Sequence, residues 1–417
     1  MSIDYASIAR RTTRILFAAQ SLGSAGFIAA STINSIVGAK LSGQAAWAGV
    51  PASVYQIGGA FAAFGWGYGM DRLGRRGGLT LGLIFGVLGA GVAGYALIAQ
   101  SFGIFLAGMV LMGTANSAVQ LGRFAAAEVN PPSQRGRAIS NVVIGGTMGA
   151  IFGPLMVGPM GDWSKSLGID ELSGPYVASL ILFAIAALVI WLWLRPDPRD
   201  VGREVAQLYP ETTSENGARS IPMILRQPAT MVAMSSMVIG QLTMVMLMVI
   251  TSLHMKDHHH ALGDISFVIS SHTFGMFAFS ILSGRLADRI GRAPVIVIGA
   301  VTLILACLTA PLSPDVLPIS VALFLLGLGW NFCYVGGSTL LADQLSPSER
   351  ARTQGFNDLM IGLTSGLGSL MSGFIFAALG YATVGVVSAL VTVIPIALTL
   401  WWSMGRRAAL QKASVQN

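Results

Sequence analysis

Gly67-Tyr-Gly-Met-Asp71-Arg72-Leu-Gly74-Arg75-Arg76 is echoed 217 positions later by Gly284-Arg-Leu-Ala-Asp288-Arg289-Ile-Gly291-Arg292. A second stretch, Glu128-Val-Asn-Pro-Pro132-Ser-Gln-Arg135-Gly-Arg137, is echoed by Asp343-Gln-Leu-Ser-Pro347-Ser-Glu-Arg350-Ala-Arg352 at an offset of 215, and Asn116 and Asn331 share that offset. Two near-equal spacings in one chain mean that a unit of about half its length has been duplicated.

What lies between these charged stretches is almost entirely apolar. Of 417 residues, 53% are hydrophobic and only 10% charged, where soluble domains run nearer 25% charged. Apolar runs near twenty residues recur along the chain, long enough as helices to cross the ~30 Å hydrocarbon core of a bilayer. Twelve are expected, at about 15–37, 45–68, 78–99, 102–128, 140–160, 176–194, 229–253, 265–286, 295–312, 318–342, 354–378 and 381–404. The fold class is therefore an all-α polytopic membrane protein. Its expected organisation is a six-helix bundle over 1–194, a polar linker over 195–227 and a second bundle over 228–417. The linker is too short and polar to be a catalytic domain, so no enzyme is expected.

The net charge of +7 reports orientation rather than a nucleic-acid partner. With the N-terminus inside, only Lys40, Lys165 and Lys256 of the 25 basic residues fall outside, which places both termini in the cytoplasm by the positive-inside rule. No cleavable signal peptide is apparent, and the first apolar run reads as a full span. Cys307 and Cys333 fall within spans, where lone thiols serve as small apolar fillers and no disulfide framework arises.

The paired charged stretches read as a latch. An Asp in a Gly-bounded turn can sit at the positive N-terminus of a helix from the other half, while neighbouring Arg residues grip carbonyls or carboxylates. Asp71, Arg72, Arg75, Asp288, Arg289 and Arg292 are its candidates, joined by Asp358, the one acid clearly inside a span. The twelve spans, the six-plus-six repeat and the G-x-x-x-D-R-x-G-R-R motif of Asp71 to Arg76, repeated at Asp288 to Arg292, resemble the major facilitator superfamily. That resemblance implies two helical bundles rocking about a central site near mid-membrane, and leaves the cargo open.

For the cargo, the fifth span offers Gly145-Gly146-x-x-Gly149-x-x-x-Gly153-Pro154-x-x-x-Gly158-Pro159, which resembles the Gly-Pro motif of drug antiporters, although small residues equally serve close helix packing. The first span carries no acid, and Met109 stands where that branch would place an Arg. Spans seven and eight instead carry Met244-x-x-x-Met248 and His272-x-x-x-Met276. Residues four apart share a helix face, and at ~1.5 Å per residue all four lie roughly 7–17 Å below the outer surface. Thioether and imidazole without carboxylate suit a soft cation, Cu(I) above all. His254, His258, His259 and His260 crowd the intervening outer loop as a possible capture funnel.

This pair of motifs resembles that of the CcoA-type copper importers, a branch related to riboflavin transporters. The resemblance implies copper import across the inner membrane, with copper as cargo, no resident cofactor, and the lipid bilayer and a monomeric chain as setting. The alternative is a proton-coupled carrier of a small organic molecule, in riboflavin-like vitamin uptake or drug efflux. Gln56, Asn116, Gln120, Gln241, Trp330, Asn331 and Tyr334 would then stack on and hydrogen-bond the substrate, while the Met-rich span would be a plastic packing surface.

Overall fold

The structure is a computed structural model that describes residues 4–209 and 219–415. Among these residues it is helical throughout, with no strands. A backbone that crosses hydrocarbon must satisfy its polar groups internally, and a helix does so within each segment. Ten stretches of the described residues are long and apolar enough to span a bilayer. Two of the longest helices, α2 (Val50–Ile98) and α15 (Pro347–Val415), each break once, at Gly74 and at Gly380. At ~1.5 Å per residue the unbroken α2 would be more than twice the bilayer core, so each break separates two spans, and the expected twelve are recovered.

The chain divides into two compact units. Unit 1 comprises Met1–Thr213 with Met255–Ser270, and unit 2 comprises Ser214–His254 with Ser271–Asn417. In unit 1, α1 (Tyr5–Ser42) is capped by Asp4, whose carboxylate accepts from the Ser7 amide at 3.1 Å. After α2 follow α3 (Phe102–Gln120), α4 (Gly122–Glu128), α5 (Arg135–Phe152), α6 (Val157–Ser166), α7 (Gly174–Trp193) and α8 (Pro198–Leu208). The glycine stripe of the fifth span packs against α1: a Cβ on Gly149 would overlap the Ser21 carbonyl, and one on Gly153 would lie 2.6 Å from the Ala25 carbonyl. These glycines are spent on close helix approach, which drives association where no hydrophobic effect operates. The core centres on Phe105, Tyr176 and Phe183, and the Tyr176 hydroxyl donates to Asn34 Oδ1 at 2.8 Å.

Unit 2 begins with α9 (Ile221–Leu225) and α10 (Pro228–Asp257), whose last residues, with the start of α11 (Leu262–Phe277), group with unit 1. Then come α12 (Ser280–Ile290), α13 (Arg292–Thr309), α14 (Val316–Asp343) and α15. Its core includes Ile224, Val232, Met237, Ile296 and Leu340. Cys307 and Cys333 are free and buried, as expected of apolar fillers. The eighth span, expected to be continuous over 265–286, is instead broken between α11 and α12. Asn331 of α14 fills the break: its Nδ2 donates to the Met276 carbonyl at 2.6 Å and to Ser280 Oγ at 2.9 Å. A buried amide that replaces lost ladder partners is what such a break requires.

Candidate functional site

The four residues read as a metal path all belong to unit 2. Met244 is buried, Met248 and Met276 are half-buried, and His272 is fully buried. His272 reaches α14, where its Nδ1 lies 2.9 Å from the Leu323 carbonyl. A carbonyl only accepts, so Nδ1 carries the proton and Nε2 keeps its lone pair. Nε2 is buried and has no hydrogen-bond partner. The face of α11 that bears His272 presses onto α14, since a Cβ on Gly327 would overlap the His272 carbonyl and one on Gly275 the Phe324 carbonyl.

The four histidines read as a funnel divide between the units, His254 in unit 2 and His258, His259 and His260 in unit 1. His254 stacks on Tyr381, with ring centroids 4.2 Å apart and planes 14° apart, and meets Phe376 edge-on. His258 and His259 are exposed, and His260 lies 4.0 Å from Asp264. Among the described residues no group of three or more His, Cys, Asp or Glu side chains could hold a metal ion. In the same loop region Lys256 pairs with Glu171 at 2.6 Å.

The residues proposed for an organic substrate divide into two groups. In unit 2, Trp330 and Tyr334 stack with centroids 4.9 Å apart at 20°, the Trp330 indole N–H donates to Gln241 Oε1 at 2.7 Å, and Phe277 meets Trp330 edge-on at 6.1 Å. Trp330 and Tyr334 are four apart on α14, and all three polar-tipped side chains are only half-buried, so they present an aromatic face rather than a closed core. Asn331 is a correction: it is 2% exposed and committed to the α11–α12 break and to Ser283. One residue further along a helix points about 100° away, which takes Asn331 off the Trp330 face. In unit 1, Gln56 and Asn116 are half-buried and Gln120 is exposed. Phe277, missed from sequence, carried no signal beyond following Met276 before the break.

The latch residues of the two motif copies lie at the ends of helical segments within each unit. Asp71 and Arg72 end one helical segment and Arg75 begins the next, with only Gly74 non-helical, so there is no loop. Arg75 is held within unit 1, by Glu128 through Nε (2.9 Å) and Nη2 (2.7 Å) and by Asp71 at 3.1 Å. In unit 2, Arg292 pairs with Asp288 at 3.0 Å and Asp343 at 3.1 Å. Arg72 and Arg289 are exposed, and Asp358 is exposed and accepts from Gln354 at 2.9 Å. These pairs tie helix ends together within a unit. Side chains four residues apart and at the end of the next span are simply within reach, and a bidentate Arg–carboxylate fork is short-range.

The Major Facilitator Superfamily model matches residues 15–254 and 232–415, essentially the whole chain in two halves. The chain belongs to the major facilitator superfamily. This major facilitator is 32% identical over 403 residues to the uncharacterized MFS-type transporter YdeG of Bacillus subtilis, covering 96% of this chain and 93% of that one. It is 30% identical over 380 residues to the riboflavin transporter RfnT of Brucella anthropi, covering 91% and 92%. In fold it is similar to a bacterial homolog of the human lysosomal transporter Spinster in an inward-facing, unoccupied conformation, with a TM-score of 0.71, 18% identity, and 96% and 97% of the two chains covered. It is accordingly a multi-pass membrane protein and a secondary transporter, of a family whose members move solutes rather than catalyse reactions.

Proposed function

We propose that this major facilitator carries a small planar organic molecule of the riboflavin class across the bacterial inner membrane by alternating access, as a monomer with both termini in the cytoplasm. The observation that carries this reading is the aromatic face of Gln241, Phe277, Trp330 and Tyr334. A flat, hydrogen-bonding ring system stacks on indole and phenol, and Gln241 holds the indole in place while offering its amide N–H to a substrate carbonyl. Similarity to RfnT along nearly the full length supports the same class. The charge bias supports the orientation, and the complete two-unit repeat in one chain supports a monomer.

A second reading, copper as cargo, rests on His272. Its protonation fixed by Leu323 and its buried, unpartnered Nε2 are the form in which imidazole ligates a soft metal, with Met244, Met248 and Met276 as thioethers on the same two helices. The test is uptake of radiolabelled riboflavin and of copper by cells expressing wild type, Trp330→Ala and the Met244→Ala/His272→Ala pair at matched membrane abundance. Losing one aromatic contact is worth about 1 kcal/mol, so Trp330→Ala raises the riboflavin KM roughly fivefold to tenfold. Riboflavin flux that depends on Trp330, with copper flux indifferent to the pair, is the expected result. Copper flux abolished in the pair, with no riboflavin flux in wild type, overturns the proposal in favour of the metal.

A further inference from the structure

Apart from the aromatic face, unit 1 contains a cavity of about 720 Å³ at the end of the bundle that bears the N-terminus. The start of α1, the turn between α4 and α5, the start of α5 and the amphipathic α8 line it, and it opens outward. Its polar lining includes Arg10, Arg14 and Arg137 with Gln134 and Asn141, and among the described residues that line it there is no Asp or Glu. At its rim the Glu204 carboxylate accepts from the Tyr5 hydroxyl at 2.9 Å. Its apolar lining includes Ala9, Val129 and Val205, which pack together with Val201 of α8. A smaller cavity of about 380 Å³ adjoins Arg10 and Arg14 and adds Arg11, whose Nη2 donates to the Trp193 carbonyl at 3.3 Å.

Three guanidinium groups around one hollow, with no carboxylate among the described lining residues, give it a positive potential that favours an anion. Elsewhere in unit 1, Arg75 takes two carboxylates and Arg199 takes one. Guanidinium forks match phosphate oxygens two at a time, and basic pockets at the cytoplasmic ends of spans recognise anionic headgroups. We propose that this cavity is a binding site for a phosphate ester, with Arg10, Arg14 and Arg137 on the phosphate and the Ala9–Val129–Val205 wall against the apolar part of the ligand. The site is separate from the transport path proposed above and does not depend on the identity of the cargo. The shared chemistry, a phosphate mono- or diester, comes either from an anionic phospholipid of the membrane or from a soluble phosphate.

The experiment uses the purified full chain in a neutral detergent, with thermal unfolding and native mass spectrometry as readouts. The probes are dioleoylphosphatidylglycerol, dioleoylphosphatidylcholine and inorganic phosphate. The proteins are wild type, Arg10→Gln/Arg14→Gln/Arg137→Gln and a charge-matched control, Arg72→Gln/Arg285→Gln/Arg289→Gln. The phosphatidylglycerol arm is expected to raise the melting temperature and leave bound lipid in wild type and in the control, with affinity weaker by roughly tenfold or more in the cavity variant. Saturable protection by inorganic phosphate, lost in the cavity variant alone, supports the site with a soluble ligand. Equal responses of all three proteins, or protection by phosphatidylcholine as strong as by phosphatidylglycerol, overturn it. Should the triple variant fail to fold, Arg137→Gln alone serves with the same readouts, and its unchanged affinity overturns the proposal.

Discussion

The two copies of the charged motif have the same skeleton and different surroundings. In each, a glycine in a conformation open only to glycine breaks the helix: Gly74 at φ 78°, ψ 169° and Gly291 at φ 96°, ψ 160°. In each, the following arginine bridges the acid four residues back and the acid that ends the neighbouring span, Asp71 and Glu128 for Arg75, Asp288 and Asp343 for Arg292. The first copy has more around it. The Asp197 carboxylate accepts from the Arg75 and Arg76 amides at 3.0 Å each, capping the new helix from a distance while it also caps α8 through Arg199. Arg76 lies over the Trp191 ring and donates to its carbonyl, and Arg199 donates to the Asp71 carbonyl at 2.9 Å. At Gly291 the nearest atom to an added Cβ is Pro294 Cδ at 3.7 Å. The second unit instead ties its entering chain down by Arg219, which clasps Glu349 at the start of α15.

The difference shows that the motif encodes a helix junction, and that what stabilises the junction depends on which connecting segment lies against it. Glycine substitution gives the largest expected effect. Gly74→Ala carries backbone strain of about 1–3 kcal/mol and in addition overlaps Asp197 Oδ2, whereas Gly291→Ala carries the strain alone. Thermal unfolding of the two variants is expected to rank Gly74→Ala clearly lower, and equal losses would break the comparison. Next comes Asp197→Ala, which removes the distant cap and costs about 1 kcal/mol by the scale of helix N-caps. With Gly74→Ala the combined loss is expected to be less than additive, since the overlap needs the carboxylate.

Smaller still are the ion pairs. Glu128→Gln acts on a two-pronged pair with side chains 20% and 32% exposed, and Asp343→Asn on a single contact at 28% and 50%. Losses of about 0.2–1 kcal/mol are expected for such partly exposed pairs, with Glu128→Gln the larger; the reverse order in denaturation would break the ranking. The last is a pH effect in the second unit. Hydrogen bonds from the Arg219 guanidinium, with further ones from the Ser346 and Arg219 amides, hold the Glu349 carboxyl well below the usual carboxylate range. A folded value below the unfolded one makes this contribution complete above about pH 4.3 and lost as the pH falls from there toward the folded value. Arg219→Gln is therefore expected to flatten the fall in melting temperature between about pH 5 and pH 3, and an unchanged acid limb would show that the clasp does not stabilise the fold.

Much of the molecule was legible from one sequence because the bilayer imposes so few options. Spans of about twenty apolar residues, the charge bias between them and the two constant offsets needed no partner to be read. Trp330 and Tyr334 were legible as stacking groups within a span, and Gly74 and Gly291 as the points where the chain turns back. Tertiary structure alone decided what each polar group meets. Asn331 left the substrate face because α11 breaks beside it, His254 stacked on Tyr381, Arg75 found Glu128, and His272 found the Leu323 carbonyl fifty-one residues away. Burial in hydrocarbon depends on a residue's own apolarity, which the sequence states outright. A hydrogen bond depends on which helix lies opposite within about 3 Å, and that is settled only when the helices have packed.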